Sequence, residues 1–84
     1  MPIDEKLLKL LHKTIDYLKD SNESTFANQT PKELIAEIHN CIKQNNKQKI
    51  NILFMPTTPL QDIAIDNGWG NEYCKIATEV KRLL

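Results

Sequence analysis

Arginine is almost missing from this 84-residue chain: Arg82 is the single arginine among eleven basic residues, and the other ten are lysines. The planar fork that grips phosphate or guanine through two parallel hydrogen bonds therefore has almost no raw material. Net charge is missing as well, because the eleven basic residues are matched by eleven acidic ones. That balance removes the sequence-independent attraction that dominates binding to nucleic acid and to anionic membrane surfaces. Glycine occurs only at Gly68 and Gly70, on either side of Trp69, so there is no glycine-rich loop to cradle a nucleotide phosphate. No apolar run approaches the ~20 residues needed to span a bilayer, and charges interrupt the stretch from Met1 to Lys13. The chain reads as cytoplasmic. Its two cysteines, Cys41 and Cys74, are then expected to be reduced, each within an apolar helical pattern where a thiol behaves as a small hydrophobe.

Catalytic constellations are equally scarce. His12 and His39 fall on different predicted helices, with no cysteine or carboxylate at a recognised ligand spacing. His39 and Cys41 are two residues apart, which on a helix points them away from one another. Ser21 and Ser24 lie in a polar stretch without the strand-turn-helix setting that exposes a nucleophilic serine. The expectation is a non-enzyme that calls for no metal and no cofactor.

The residues that are present describe helices. Ile3, Leu7, Leu8, Leu11, Ile15 and Leu18 recur at spacings of three and four, which predicts a first helix from Ile3 to Lys19 with Leu10 and Tyr17 widening its apolar stripe. Asp20 to Gln29 is a polar loop, with Phe26 expected to pin it to the core. Thr30-Pro31-Lys32-Glu33 has the form of a capping box. It should start a second helix carrying Leu34, Ile35, Ile38, Cys41 and Ile42, which ends near Asn45-Asn46. Lys49 to Met55 fits either a buried strand or a short helix. The helix is favoured because a lone strand would find no partner for its backbone groups. Thr58-Pro59-Leu60-Gln61 repeats the capping-box grammar and should open a short helix to about Asp66, closed by Asn67-Gly68. Asn71 is the expected cap of a final helix in which Tyr73, Ile76, Ala77, Val80 and Leu84 share one face. With 40 % apolar residues, the chain is expected to form a single all-α domain over residues 1–84, a compact bundle of four to five short helices.

The most individual stretch runs from Pro56 to Glu72. Two prolines fix the approach to a helix, and a lone tryptophan between glycines stands where backbones come close. Trp69 has two readings: a core plug beside Phe54 and Tyr73, or a contact on a binding surface, where tryptophan is enriched. Charge is also distributed unevenly. Lys43, Lys47 and Lys49 make the middle of the chain basic, whereas Asp62, Asp66, Glu72 and Glu79 make the last third acidic.

Two resemblances bear on function. Asp62-Ile63-Ala64, Gly68-Trp69, Tyr73 and Lys81-Arg82 resemble the helix-turn-helix of the AraC-type transcription regulators, which implies DNA binding or an antitoxin-like regulator using residues 60–82. This sequence departs from that pattern: Tyr73 falls one residue early, and Glu72 and Glu79 stand where carboxylates oppose the phosphate backbone. Leu53 to Trp69, with Phe54, Pro56-Thr57, Leu60-Gln61 and Asn67-Gly68-Trp69, resembles a C-terminal block of small bacterial proteins that are similar to immunity proteins of toxin systems, including contact-dependent inhibition. Thr58 and Ala64 stand where that block has Gly and Ser. The resemblance implies a small scaffold that binds and neutralises a toxin, its partner being a cognate toxin domain. The contacts expected on this chain are Asp62, Asp66, Trp69 and Glu72. Homodimerisation is left open by the sequence.

Overall fold

The computed structural model describes residues 4–24, 27–55 and 58–84. Five helices and no strands are formed by these residues: α1 (Glu5–Lys19), α2 (Pro31–Gln44), α3 (Lys47–Leu53), α4 (Pro59–Asp66) and α5 (Gly70–Leu83). The Cα radius of gyration is 11.6 Å, close to the ~12 Å expected of a compact chain of this length.

Local chemistry accounts for most helix ends. Asp4 caps α1, its side chain accepting from the Lys6 amide at 2.8 Å, and Ile3 lies outside the described residues. At α2 the expected capping box forms in both directions. Thr30 Oγ1 accepts from the Glu33 amide at 3.2 Å, and Glu33 Oε1 accepts from the Thr30 amide at 3.0 Å. The helix then stops at Asn45, which takes the left-handed conformation with φ 53° at the modest cost that asparagine tolerates.

Three expectations need correction. The third helix begins at Lys47, two residues before the expected start, because Asn46 caps it by accepting from the Lys49 amide at 3.0 Å. The second Thr-Pro start does not cap as the first does. Thr58 makes no side-chain cap bond to α4; its Oγ1 donates instead to the Leu53 carbonyl at 3.1 Å, across the link from α3. Finally, α5 begins at Gly70 with Trp69 in the cap position, not with Asn71 as cap.

The stripes meet in one core. Leu7, Leu11, Ile15 and Leu18 from α1 join Leu34, Ile38 and Cys41 from α2, Ile50 and Leu53 from α3, Leu60 and Ile63 from α4, and Tyr73, Ile76 and Val80 from α5. Helix α1 packs on α2 and α5, α4 packs on α5 and α2, and α3 packs on α2. Thr14 is fully buried and satisfies its hydroxyl by donating to the Leu10 carbonyl at 2.9 Å. Of the two cysteines, Cys41 behaves as the expected small hydrophobe, whereas Cys74 is exposed on α5; both are free thiols. The expected pin of the first loop, Phe26, lies outside the described residues.

Candidate functional site: the α4–α5 corner

The turn that joins α4 to α5 is built from side chains that reach across the molecule. Helix α4 ends at Asn67, and Gly68 reverses the chain with φ 82°, a conformation glycine adopts without steric cost. Asn67 then acts like a piece of backbone. Its Oδ1 accepts from the Asn22 amide at 2.8 Å, while its Nδ2 donates to the Asn22 carbonyl at 3.0 Å and to the Ile63 carbonyl at 2.9 Å. Ser24 Oγ donates to Asp66 Oδ2 beside this clip. The loop after α1 is thereby tied to the corner by three side chains whose partners lie more than forty residues away in sequence.

Trp69 completes the clamp from within. It is 5 % exposed, and its Nε1 donates to Ser21 Oγ at 2.9 Å, which itself donates to the Tyr17 carbonyl at 2.8 Å. The indole stacks on Tyr17 with centroids 4.8 Å apart and planes at 9°. It meets Tyr73 edge-on at 6.3 Å and 69°. Phe54 stacks on the other aromatic of this group, Tyr73, at 6.0 Å. Offset stacks and edge contacts of this kind contribute about 0.5–1.5 kcal/mol each beyond the buried area. Burial pushes the Tyr73 phenol up from its ordinary pKa, and its hydrogen bond with Thr58 opposes that rise.

The four expected contact residues thus separate into two groups. Trp69 lies inside, and its principal neighbour is Tyr17 on α1. The three carboxylates lie on the outer surface: Asp66 is exposed, and Asp62 and Glu72 are half-buried. Because Leu60, Ile63 and Ala64 face the core, the 100° step of the helix turns Asp62 and Asp66 outward together, with Ile65 beside them. Ile65 is 58 % exposed, the highest value among the large apolar residues described as exposed. It leans on the start of α5, where a Cβ placed on Gly70 would stand 3.2 Å from Ile65 Cγ1. Glu72 follows in the first turn of α5, a favourable position for a carboxylate near the positive helix end, with Lys75 Nζ 3.8 Å away. Around α4 the outward side chains run Ile65, Asp62, Asp66, so the exposed isoleucine stands at one edge of a carboxylate pair.

Ile65 was not legible as a surface residue from composition, since isoleucine reads as core; its phase on α4 relative to Leu60, Ile63 and Ala64 is the signal that finds it. The clip formed by Asn22, Ser24 and Asn67 had no local signal at all. Elsewhere, His12 and His39 are both exposed on separate helices, α1 and α2. Neither lines the groove of about 530 Å³ between the end of α1 and the start of α2, which includes Leu18, Lys19, Asn22, Pro31, Lys32 and Ile35. No helix among the described residues is long and apolar enough to cross a membrane.

The chain matches no family model, and neither a curated protein nor a solved structure gives a significant match to it.

Proposed function

We propose that this chain is a small protein-binding module, an immunity protein that binds and neutralises a bacterial toxin in the cytoplasm. The observation that carries this reading is the surface of the α4–α5 corner: Asp62, Asp66 and the exposed Ile65 share the outward side of α4, and Glu72 stands in the first turn of α5. A binding surface gains affinity when it is ordered before the partner arrives, since the ordering entropy is then not spent on association. The clamp of Trp69, Asn67 and Ser24 supplies that order. The carboxylates steer a basic partner and repel acidic ones, and Ile65 supplies the apolar contact. Trp69 serves this surface from beneath, by fixing the turn, and the contact set is Asp62, Ile65, Asp66 and Glu72.

The experiment is co-expression with the product of the adjacent gene. This reading expects that product to arrest growth alone, and growth to return when this chain is present. A harmless neighbouring product that forms no complex with the chain would overturn it.

A second reading, DNA binding by residues 60–82, is favoured by one observation: α4 and α5 pack on each other across a turn of residues 67–69, as in a helix-turn-helix. On the exposed side of α5, however, Glu72 pairs with Lys75 and Glu79 pairs with Arg82 at 3.0 Å. Two of its cations are therefore offset before any phosphate arrives. Titration against mixed-sequence duplex at low salt decides between the readings, because low salt is the permissive condition for counterion release. Binding there supports the DNA reading, and its absence leaves the protein-binding one.

A further inference from the structure

Charge in the middle of this chain is segregated without exception: no acidic residue lies between Glu37 and Asp62, and no basic residue lies between Lys49 and Lys75. The fold turns this linear pattern into two exposed faces on neighbouring elements. On α3 the core takes Ile50 and Leu53, so the helical step places Ile52 on the opposite, outward side with Lys49 three residues before it. Ile52 is 50 % exposed and Met55, just beyond the helix, is 40 % exposed. Lys49 is exposed on this side, and Lys47, also exposed, stands in the first turn about 140° around the helix from Ile52. On α4 the outward face carries Ile65 at the edge of the pair Asp62 and Asp66. One face is apolar with a basic border, and the other is apolar with an acidic border.

We propose that these two faces recognise each other between two copies of the chain: α3 of one copy docks on α4 of a second through Ile52 and Met55 against Ile65, with Lys47 and Lys49 opposite Asp62 and Asp66. Exposed apolar side chains gain by leaving water, and complementary borders select the orientation and exclude like-charged alternatives. A twofold-related pair makes this contact twice, because each copy offers both faces. The pairing rests on the charges and exposures of this chain alone and is independent of the toxin-binding reading. It has a consequence for that reading, however. A second copy and a basic partner protein would compete for the same α4 face, so self-association would hold the binding surface covered until the partner displaces it.

The test is sedimentation equilibrium of the full chain from ~10 μM to ~1 mM, the range in which weak, transient interfaces register. The expected result is a mass that rises with concentration at low salt and falls back toward monomer at ~1 M salt, where the screening length is only about 3 Å. Lys47→Glu/Lys49→Glu and Asp62→Lys/Asp66→Lys should each remain monomeric on their own. Mixed one to one, they should associate at least tenfold more tightly than either does alone, since each then meets its opposite. Recombination in the mixture also shows that both variants are folded. A mixture of Lys9→Glu/Lys13→Glu with Asp62→Lys/Asp66→Lys has the same opposed net charges, but only one of its two α3–α4 contacts is complementary, so its mixed complex should be no tighter than the self-association of the native chain. A monomeric native chain across the whole range, or a mixed complex equally tight in the two mixtures, would overturn the proposal.

Discussion

Replacing Trp69 with alanine separates a core residue from a surface contact in one measurement. The indole is 5 % exposed, stacks on Tyr17, meets Tyr73 edge-on and donates to Ser21. Truncating a buried aromatic to alanine costs about 3–5 kcal/mol, of which the lost hydrogen bond is about 1. Domains carry roughly 0.05–0.15 kcal/mol per residue, or about 4–13 kcal/mol for a chain of this length. Trp69→Ala therefore removes a large share of the total and brings a chain at the low end of that range to the edge of unfolding. Trp69→Phe keeps the ring in the stack but loses the indole donor, and should cost about 1–2 kcal/mol. Urea denaturation followed by far-ultraviolet circular dichroism reads both variants, whereas fluorescence would lose its lone tryptophan. The melting temperature should fall by at least roughly 12 °C for the alanine variant, at about 4 °C or more per kcal/mol in a domain of this size. A cost below about 1 kcal/mol for Trp69→Ala would refute the placement of the indole within the clamp.

Further outcomes follow from individual contacts. Thr30→Ala should cost about 1 kcal/mol through loss of the α2 cap. Thr58→Ser keeps the hydroxyl donor to the Leu53 carbonyl and should cost less than Thr58→Val, which removes it; equal costs in chemical denaturation would contradict that bond. Gly68→Ala meets no neighbour within 4 Å but forces alanine to φ 82°, so it should cost roughly 1–2 kcal/mol from backbone strain alone. In thiol labelling of the native chain, exposed Cys74 should react quickly and buried Cys41 only as the chain opens. Burial pushes the Cys41 thiol up, with Lys49 pulling down by less and Glu37 adding to the rise, and Tyr73 is raised in the same direction. A group raised in the folded state stabilises fully below its unfolded pKa and loses that contribution as pH climbs through the folded one. Stability should therefore be level with respect to these two groups near neutrality. It should decline from about pH 8.5, the ordinary thiol value, and again beyond about pH 10 for the phenol. A Cys41→Ala chain that retained the first decline would contradict the assignment.

The helical architecture was legible because its determinants are local. Thr30 and Glu33 cap within four residues, and the stripes of α1, α2 and α5 follow the helical period. Where a local rule met a long-range competitor, it failed. Thr58 has the same sequence setting as Thr30, yet its hydroxyl turns back to the Leu53 carbonyl. Asn46 draws the start of α3 forward because an amide side chain caps as readily as a hydroxyl. At the candidate site, Asp62 and Asp66 were legible as acidic residues of the last third of the chain, and their shared outward face follows from the buried phase of Leu60, Ile63 and Ala64. The environment of Trp69 was not legible, since Ser21 and Tyr17 belong to a different helix and its loop. No periodicity within α4 or α5 encodes which residues of α1 lie beneath them. The same holds for Asn22 and Ser24, polar loop residues whose partners exist only once the helices have packed.

The reading of the α4–α5 corner as a protein-binding surface is tested most directly by calorimetric titration of the native chain and of Asp62→Lys/Asp66→Lys with the protein encoded beside it. The predicted result is a one-to-one complex for the native chain, weakened at least tenfold by the double reversal and by raised salt. The variant also loses the acceptor of the Ser24 hydroxyl, so its stability should fall by about 1–3 kcal/mol, and the titration is run where its melting curve shows it fully folded. Equal affinity for both chains would contradict the assignment of this face, and no binding to either would contradict the function.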